Sequence, residues 1–566
     1  MPILKILPLL VILTSCTSDI PQGYQISKQA FGEKGMVVTA HPVATQIGLD
    51  ILQQGGNAVE AAIAVQFALA VCYPVAGNIG GGGFMVIREN DGKVHALDFR
   101  ETAPASSFET MFQNDSGIVM DSLSRFGHLA AGIPGSVDGM VKAYEKFGSE
   151  LTFKELIQPA VKIAREGFRL TEDQANGLNR SKSNFTNHNT KPHALLKEGE
   201  WKNGEILIQE DLAKTLERIE KNGRNGFYQG ETADLIVDEM KRGGGIITHE
   251  DLDSYQAIWR DPITFKYKEY ELIGMPPPSS GGVALAQLLK ITEKYPIKDW
   301  GFHHPKSIHL MIEAEKRVYA DRSKHLGDSD FYPVPIQKLM DYQYLEDRMK
   351  SFNPNEATPS QQVYPGLENN TKESMETTHF SIVDQYGNAV AVTTTINGGY
   401  GNFVVVGSAG FLLNNEMDDF SAKPGSMNMF GLIGAEANKI EPGKRMLSSM
   451  TPTIVAKDGK LFMVVGTPGG STIITSVYQV ILNVMEFGMN MAEAVAAPRF
   501  HHQWLPEWTT YEENGIDSFL IQELERIGHP YKTTKAIGRV DAILVNPTGR
   551  LEGGADPRGD DHAAGY

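Results

Sequence analysis

Residues 377–397 leave this chain little choice of local structure. Thr377-Thr378-His379-Phe380-Ser381 runs through Ile382-Val383-Asp384 and the turn Gln385-Tyr386-Gly387-Asn388 into the stretch Ala389 to Asn397. Two β-rich runs joined by a short Gly/Asn turn specify a hairpin. Side chains alternate along a strand, which puts Thr393, Thr395 and Asn397 on a polar face and Val390, Val392 and Ile396 on an apolar one. Residues 351–376 are rich in Asn, Pro, Glu, Ser and Gln, have little to bury, and read as a linker feeding a strand that starts at Thr377.

That arrangement suits a nucleophile made by cutting the chain. A threonine hydroxyl needs a base beside it, and a free α-amine on the same residue supplies one. With an unperturbed pKa of about 7.7–8.0, such an amine keeps a substantial neutral fraction near pH 7. Taken alone, a Thr-Thr pair reads first as two β-branched strand residues, so the rest of the chain has to decide.

The 566 residues, 41% of them hydrophobic, can bury a large core, and the net charge of -17 argues against a nucleic-acid surface. Residues 1–16 read as a targeting segment: Lys5 lies in the apolar run Ile3 to Leu13, and Leu13-Thr14-Ser15-Cys16 resembles a bacterial lipoprotein signal that would make Cys16 the lipidated first mature residue. The alternative is an ordinary cleaved signal peptide. Cys72, in an apolar helical run, reads as a packing residue, and no intramolecular disulfide is expected.

Val43 to Tyr73 reads as two helices broken at Gly55-Gly56-Asn57, the second deeply buried. The following run Gly80 to Gly83 lacks the Gly-Lys-Ser/Thr ending of a phosphate loop and leads into a strand; its glycines imply a tight backbone path close to another element. Arg100, at the end of the strand Val94 to Phe99, could present its fork to a carboxylate or pair with Asp98 or Glu101 at the surface. Residues 105–260 read as amphipathic helices without evident chemistry, and Pro276-Pro277-Pro278 as a rigid bend. His303, His304, His309, His501 and His502 lack metal-ligand spacing, and no metal or organic cofactor is implied.

Glu416 to Asp419 place acids after an apolar strand and could grip an ammonium group; Ser448 and Ser449 offer hydroxyl donors. Residues 424–435 read as a loop that could cover a site. Gly469 and Gly470 precede an apolar helix, where uncovered backbone N–H groups suit an oxyanion. Strands and helices alternate up to a final strand near Asp541 to Val545, a layered α/β arrangement.

Together these motifs resemble the γ-glutamyltranspeptidases, or glutathione hydrolases, of the N-terminal-nucleophile hydrolase superfamily. The resemblance rests on Asp98-Phe99-Arg100-Glu101, Pro276 to Gly282, Thr377 to Ser381, Thr393 to Asn397, Asn414 to Ser421, Leu447 to Met450, Pro468 to Gly470, Asp556-Pro557-Arg558 and Ala564-Gly565-Tyr566, over nearly the whole chain beyond the signal. It implies a four-layer αββα sandwich built by two chains cut from one precursor: a large subunit, residues 17–376, ending at Glu376, and a small subunit, residues 377–566, starting at the nucleophile Thr377. Thr395 would support that nucleophile, and the Gly469 and Gly470 N–H groups would hold the oxyanion. Arg100, Ser448 and Ser449 would bind the glutamyl α-carboxylate, and Asn397, Glu416 and Asp419 its α-amino group. The implied partners are glutathione and other γ-glutamyl compounds, with water, an amino acid or a dipeptide as acyl acceptor. The implied location is the bacterial periplasm, with a lipid anchor as the only membrane attachment.

Two details depart from the family pattern. Phe430 stands where many bacterial relatives carry a lid tyrosine that hydrogen-bonds the asparagine matching Asn397, and Gly398-Gly399-Tyr400-Gly401 forms a looser turn than bulkier relatives have. A related glutaryl or cephalosporin acylase is a competing reading, opposed by Arg100, Glu416 and Asp419, which a substrate without the α-amino acid group would leave unpaired. A catalytically silent amino-acid-binding lipoprotein would have lost Thr377, Thr395 or the Gly469-Gly470 pair; all are present.

Overall fold

Alternation along the strands decides the layering. The computed structural model describes residues 23–364, 377–423, 425, 428–429, 432–513 and 515–566. Two seven-stranded antiparallel sheets lie face to face. The first has the order His562–Gly565, Met36–Thr39, Thr378–Val383, Ala389–Thr395, Gly82–Arg88, Val94–Asp98, Ile258–Arg260. The second has the order Gln29–Gly32, Leu551–Ala555, Asp541–Val545, Lys460–Gly466, Thr453–Lys457, Tyr270–Gly274, Ile263–Tyr267.

In the first sheet Met36, Val38, Phe84, Val86, Ala389 and Ala391 meet Ile273, Ile454, Val464 and Ile543 of the second. Their neighbours Val37, Met85, Ile87, Ile382, Val390 and Val392 pack instead with the helices Pro42–Gln53 and Ala58–Cys72. The latter helix is apolar on every side and wholly buried, and a capping box of Asn57 and Glu60 fixes its start. On the far side Leu272, Val455, Met463 and Leu544 pack with the helices Gly281–Thr292, Pro305–His325 and Thr472–Met485. The order of layers is helix, sheet, sheet, helix.

The hairpin forms as expected, in register from Thr378 opposite Thr394 to Val383 opposite Ala389. Three details differ. The strand starts at Thr378, leaving Thr377 just outside the ladder. Ala389 and Ala391 share the face of Thr393 and Thr395, so that face is apolar at one end and polar at the other, where His379 and Ser381 also meet the second sheet at Gly466 and Asp541. Asp541–Val545 is not the last strand, because the chain returns through Leu551–Ala555 and His562–Gly565, which add one more strand to each sheet. The glycine run explains itself: Thr395 pairs with Gly82, and a Cβ on Gly81 would stand 2.1 Å from the Thr395 carbonyl oxygen.

The histidines serve packing or local bonding. His379 lies between the hydroxyls of Thr393, at 2.8 Å, and Ser381, at 3.1 Å, and burial pushes its pKa down to about 3, keeping it neutral. Among the described residues His309, Glu313 and His529 bring three potential metal-ligand atoms within 4.8 Å, a juxtaposition that sequence spacing does not reveal. The two rings already share a 2.7 Å hydrogen bond, and Glu313 pairs with Arg317 at 2.7 Å and Lys316 at 3.2 Å.

Candidate active site

The polar end of the hairpin opens into a pocket lined by Thr377 and Thr395, by Arg100 and Arg322, by Asn397, Glu416 and Asp419, and by Ser448, Ser449 and Gly470. Thr377 is 4% exposed, and its hydroxyl lies 3.4 Å from that of Thr395. The Thr395 hydroxyl accepts the Asn397 backbone N–H at 2.7 Å, and either hydroxyl of the Thr377–Thr395 pair can donate to the other. Asn397 has a left-handed backbone, φ 69°, and its amide donates to the Asn415 carbonyl at 2.9 Å.

Arg100 does not reach the surface. Asp98 is engaged by Arg260 at 2.7 Å, and the Arg100 guanidinium, 1% exposed, turns inward to Glu416 at 2.6 Å, Asp419 at 2.5 Å and Glu101 at 3.7 Å. Gly82 makes room for this, since a Cβ there would stand 2.5 Å from Glu101 Oε2. Burial opposes the charge on Arg100, but Glu416, Asp419 and Glu101 together hold its pKa above the ordinary value. Burial pushes Glu101 up to about 8 against the pull of Arg100, and raises Glu416 and Asp419 as well. Three carboxyls around one guanidinium leave a surplus of acid that either a proton or an incoming cation relieves.

Ser448 and Ser449 are fixed by the proline segment: the Ser448 N–H donates to the Pro278 carbonyl at 2.9 Å, and Ser280 donates to the Ser448 carbonyl through both its N–H and its hydroxyl, each at 2.7 Å. The rigid bend therefore has a second use, holding these two hydroxyls at the pocket. Arg322, which sequence reasoning did not single out, lines the same pocket from the helix Pro305–His325. It donates to the hydroxyls of Ser280 at 2.9 Å and Ser449 at 3.0 Å, and among the described residues no carboxylate pairs with it. Burial lowers its pKa to about 10, still charged at neutral pH. Its only sequence signal is the charge density of that helix, which alone does not separate a pocket residue from a solvated face.

Opposite the hydroxyls, Gly469 and Gly470 turn with φ of 137° and 54° into the helix Thr472–Met485. Among the described residues neither of their N–H groups has a hydrogen-bond acceptor. A Cβ on Gly469 would stand 2.5 Å from Thr472 Oγ1, so the turn requires glycine twice over, for its dihedral and for its space. The pocket thus joins a hydroxyl pair, Gly470 of the glycine turn and a set of opposed charges. Glu376, Phe430 and Cys16 lie outside the described residues.

A family model described as Gamma-glutamyltranspeptidase matches residues 44–566. A glutathione hydrolase proenzyme of Escherichia coli (strain K12) is 46% identical over 553 residues, covering 96% of this chain and 95% of its own. Among solved structures, a cephalosporin acylase from Bacillus halodurans superposes with a TM-score of 0.84 at 27% identity, covering 98% of this chain and 99% of its own. A Helicobacter pylori gamma-glutamyltranspeptidase chain superposes with a TM-score of 0.57 at 43% identity, covering 59% of this chain and 96% of its own. The structural likeness reaches acylases as well as transpeptidases, and the family match together with the 46% identity settles which line this protein follows: the chain belongs to the γ-glutamyltranspeptidase family.

Proposed function

We infer that this protein is a self-processing γ-glutamyltranspeptidase and glutathione hydrolase with Thr377 as its nucleophile. The observation that carries the reading is the pairing, within one pocket, of the Thr377–Thr395 hydroxyls with the buried Arg100–Glu416–Asp419 group. A γ-glutamyl donor carries an α-carboxylate and an α-ammonium at the end remote from its scissile amide. Its carboxylate meets Arg100, Ser448 and Ser449; its ammonium meets Glu416, Asp419 and the Asn397 side chain and relieves the surplus of acid. A glutaryl substrate supplies no such cation, which favours transpeptidase chemistry over acylase chemistry.

Processing cuts the peptide bond between Glu376 and Thr377, giving the chains 17–376 and 377–566 from a precursor. The Thr377 hydroxyl attacks the preceding carbonyl, and water opens the resulting ester. The freed α-amine then takes the hydroxyl proton as Thr377 attacks the γ-carbonyl of the donor. Gly469 and Gly470 N–H groups receive the oxyanion, and the protonated amine passes its proton to the departing amine. Water or an acceptor amine then takes the γ-glutamyl group from Thr377. Fixing the α-amino acid end orients the γ-carbonyl at the nucleophile. Export and lipidation at Cys16 rest on the signal-like sequence alone; among the described residues no helix is long and apolar enough to cross a membrane.

Intact mass and denaturing gels of the purified chain beside Thr377→Ala test the reading. Two fragments meeting at Glu376/Thr377 in the wild type, an uncut variant, and turnover of glutathione by the wild type alone are expected. A folded wild type that stays whole overturns it.

A further inference from the structure

The turn that carries Gly469 and Gly470 rests on a loop from elsewhere in the sequence. Gly538, left-handed at φ 66°, has its Cα 3.4 Å from where a Cβ on Gly469 would stand. The next residue, Arg539, donates its backbone N–H to Thr467 Oγ1 at 2.8 Å, and that hydroxyl donates in turn to the Pro468 carbonyl at 2.8 Å. Thr467 and Pro468 lead directly into the glycine pair, so the place of Arg539 bears on the place of the turn.

Arg539 is itself held. Its Nε and Nη2 donate to Asp561 Oδ2 at 3.0 Å and 2.7 Å, and Nη1 donates to the Tyr73 hydroxyl. A Cβ on Gly559 would stand 2.1 Å from Arg539 Cζ, so the guanidinium lies against backbone that only glycine leaves open. Lys28, just ahead of the strand Gln29–Gly32, gathers this loop. Its Nζ donates to the carbonyls of Asp556 at 2.8 Å, Gly559 at 2.7 Å and Asp561 at 2.7 Å, a use for each of the three protons of an ammonium. The main chain around it is fixed too: the Lys28 carbonyl accepts the Ala555 N–H at 3.0 Å, and the Ser27 carbonyl accepts the Ala563 N–H at 2.9 Å. Burial lowers the Lys28 pKa against the pull of Asp561 and Asp541. Three carbonyl oxygens converging on one charge is the coordination that a small monovalent cation takes, and here the ammonium is the resident ion.

We propose that Lys28 is a positioning residue for the oxyanion turn, its ammonium filling a carbonyl-lined monovalent-cation site in loop 556–561 and acting through Asp561, Arg539 and Thr467. The proposal rests on the reading of Gly469 and Gly470 given above. Each contact from Lys28 Nζ to the Pro468 carbonyl is 3.0 Å or shorter, and on the two-chain reading the path runs from the large subunit into the catalytic turn of the small one. Without a cation the three carbonyls face one another unpaired, the loop opens, and Asp561 no longer fixes Arg539. None of Lys28, Asp561, Arg539 and Thr467 lines the donor pocket, so the loss falls on the chemical step and spares donor binding. A site of this kind accepts a substitute: K+, whose hydration shell carbonyl oxygens can replace, enters the space that a truncated side chain leaves.

The test uses the processed full-length protein, with kcat and KM for a chromogenic γ-glutamyl anilide measured in Li+ and in K+ at equal ionic strength and expressed per cleaved chain. Wild type should be indifferent to the ion. Lys28→Ala is expected to lose about tenfold in kcat in Li+, the worth of a hydrogen bond to a charged group, with KM unchanged, and to regain most of that loss in K+ along a saturable curve. Asp561→Asn breaks the path beyond the cation, so it should lose kcat in the same way with no response to K+. A loss in Lys28→Ala that K+ does not restore, a loss that appears in KM instead, or a chain that stays uncleaved in both ions overturns the proposal; so does an Asp561→Asn variant with unchanged kcat. Gly469→Ala separates the two readings. Full activity there refutes the oxyanion turn itself, whereas a loss there beside an unimpaired Lys28→Ala refutes the role of Lys28 alone.

Discussion

The two ends of the donor pocket are built from opposite materials. At one end the buried Arg100 sits among buried Glu416 and Glu101 and half-buried Asp419, with every pKa displaced. At the other end stand two hydroxyls 3.4 Å apart and Gly470 of the glycine turn, and the nearby imidazole of His379 is kept neutral between Thr393 and Ser381. On the function proposed above, charges would recognise the substrate and neutral groups would perform the reaction. Among the described residues the reacting end offers no side-chain base, and on the proposed function the α-amine released by cleavage would fill that role. A buried charge tuned for binding would be a poor proton shuttle, and a shuttle beside Arg100 would have its pKa pulled away from neutrality.

The division is broken most severely at Arg100. Arg100→Met should cost about 3–5 kcal/mol through the carboxyls it leaves uncompensated, lowering kcat/KM for glutathione at least 10²-fold and lowering Tm as well. A loss confined to kcat, with donor KM unchanged, would place Arg100 at the chemical step instead. Gly469→Ala probes the opposite end. The dihedral and the contact with Thr472 Oγ1 force the turn to shift, and losing one oxyanion donor should cost about 2.7–4 kcal/mol in kcat with little change in donor KM. Full activity in this variant would remove the turn from the mechanism.

Arg322→Lys tests whether the second guanidinium belongs to the charged end. Losing its reach to the Ser449 hydroxyl should cost about 1 kcal/mol, seen as a roughly fivefold rise in donor KM. A change in kcat alone would assign it to the other end. The smallest effect concerns pH. Glu101 is held near 8 in the fold against about 4.3 in an unfolded chain, so the folded state binds the extra proton. The stability this gives is complete below about 4.3 and is lost as pH rises through 8. Tm of the ligand-free protein should therefore fall by a few degrees between pH 6 and pH 9, and Glu101→Gln should flatten that slope. An equal slope in the variant would trace the effect to another group.

Most of the charged end was legible in the sequence, though not its wiring. Arg100, Glu416, Asp419, Ser448 and Ser449 all line the pocket, yet local spacing also allowed a surface pair of Arg100 with Asp98. That choice was made by Arg260, 162 residues away from Asp98, which occupies its carboxylate. Arg322 was invisible because its helix, Pro305–His325, buries charged residues on several faces at once, so no polar stripe distinguishes the one that enters the pocket. Thr377, Thr395 and the glycine turn were legible because strand alternation and positive-φ glycine are local rules.

The strand order also determines what a cut before Thr377 does to the protein as a material object. Met36–Thr39 is clasped between His562–Gly565 and Thr378–Val383; Gly82–Arg88 is zipped to Ala389–Thr395; Gln29–Gly32 and Tyr270–Gly274 close the two flanks of the strands 453–555. Residues from the two sides of position 376 thus share both sheets, interleaved in the first and flanking a block of four later strands in the second. Severing one thread there would free an amine and break none of these strand pairings, so the two product chains should melt in a single transition.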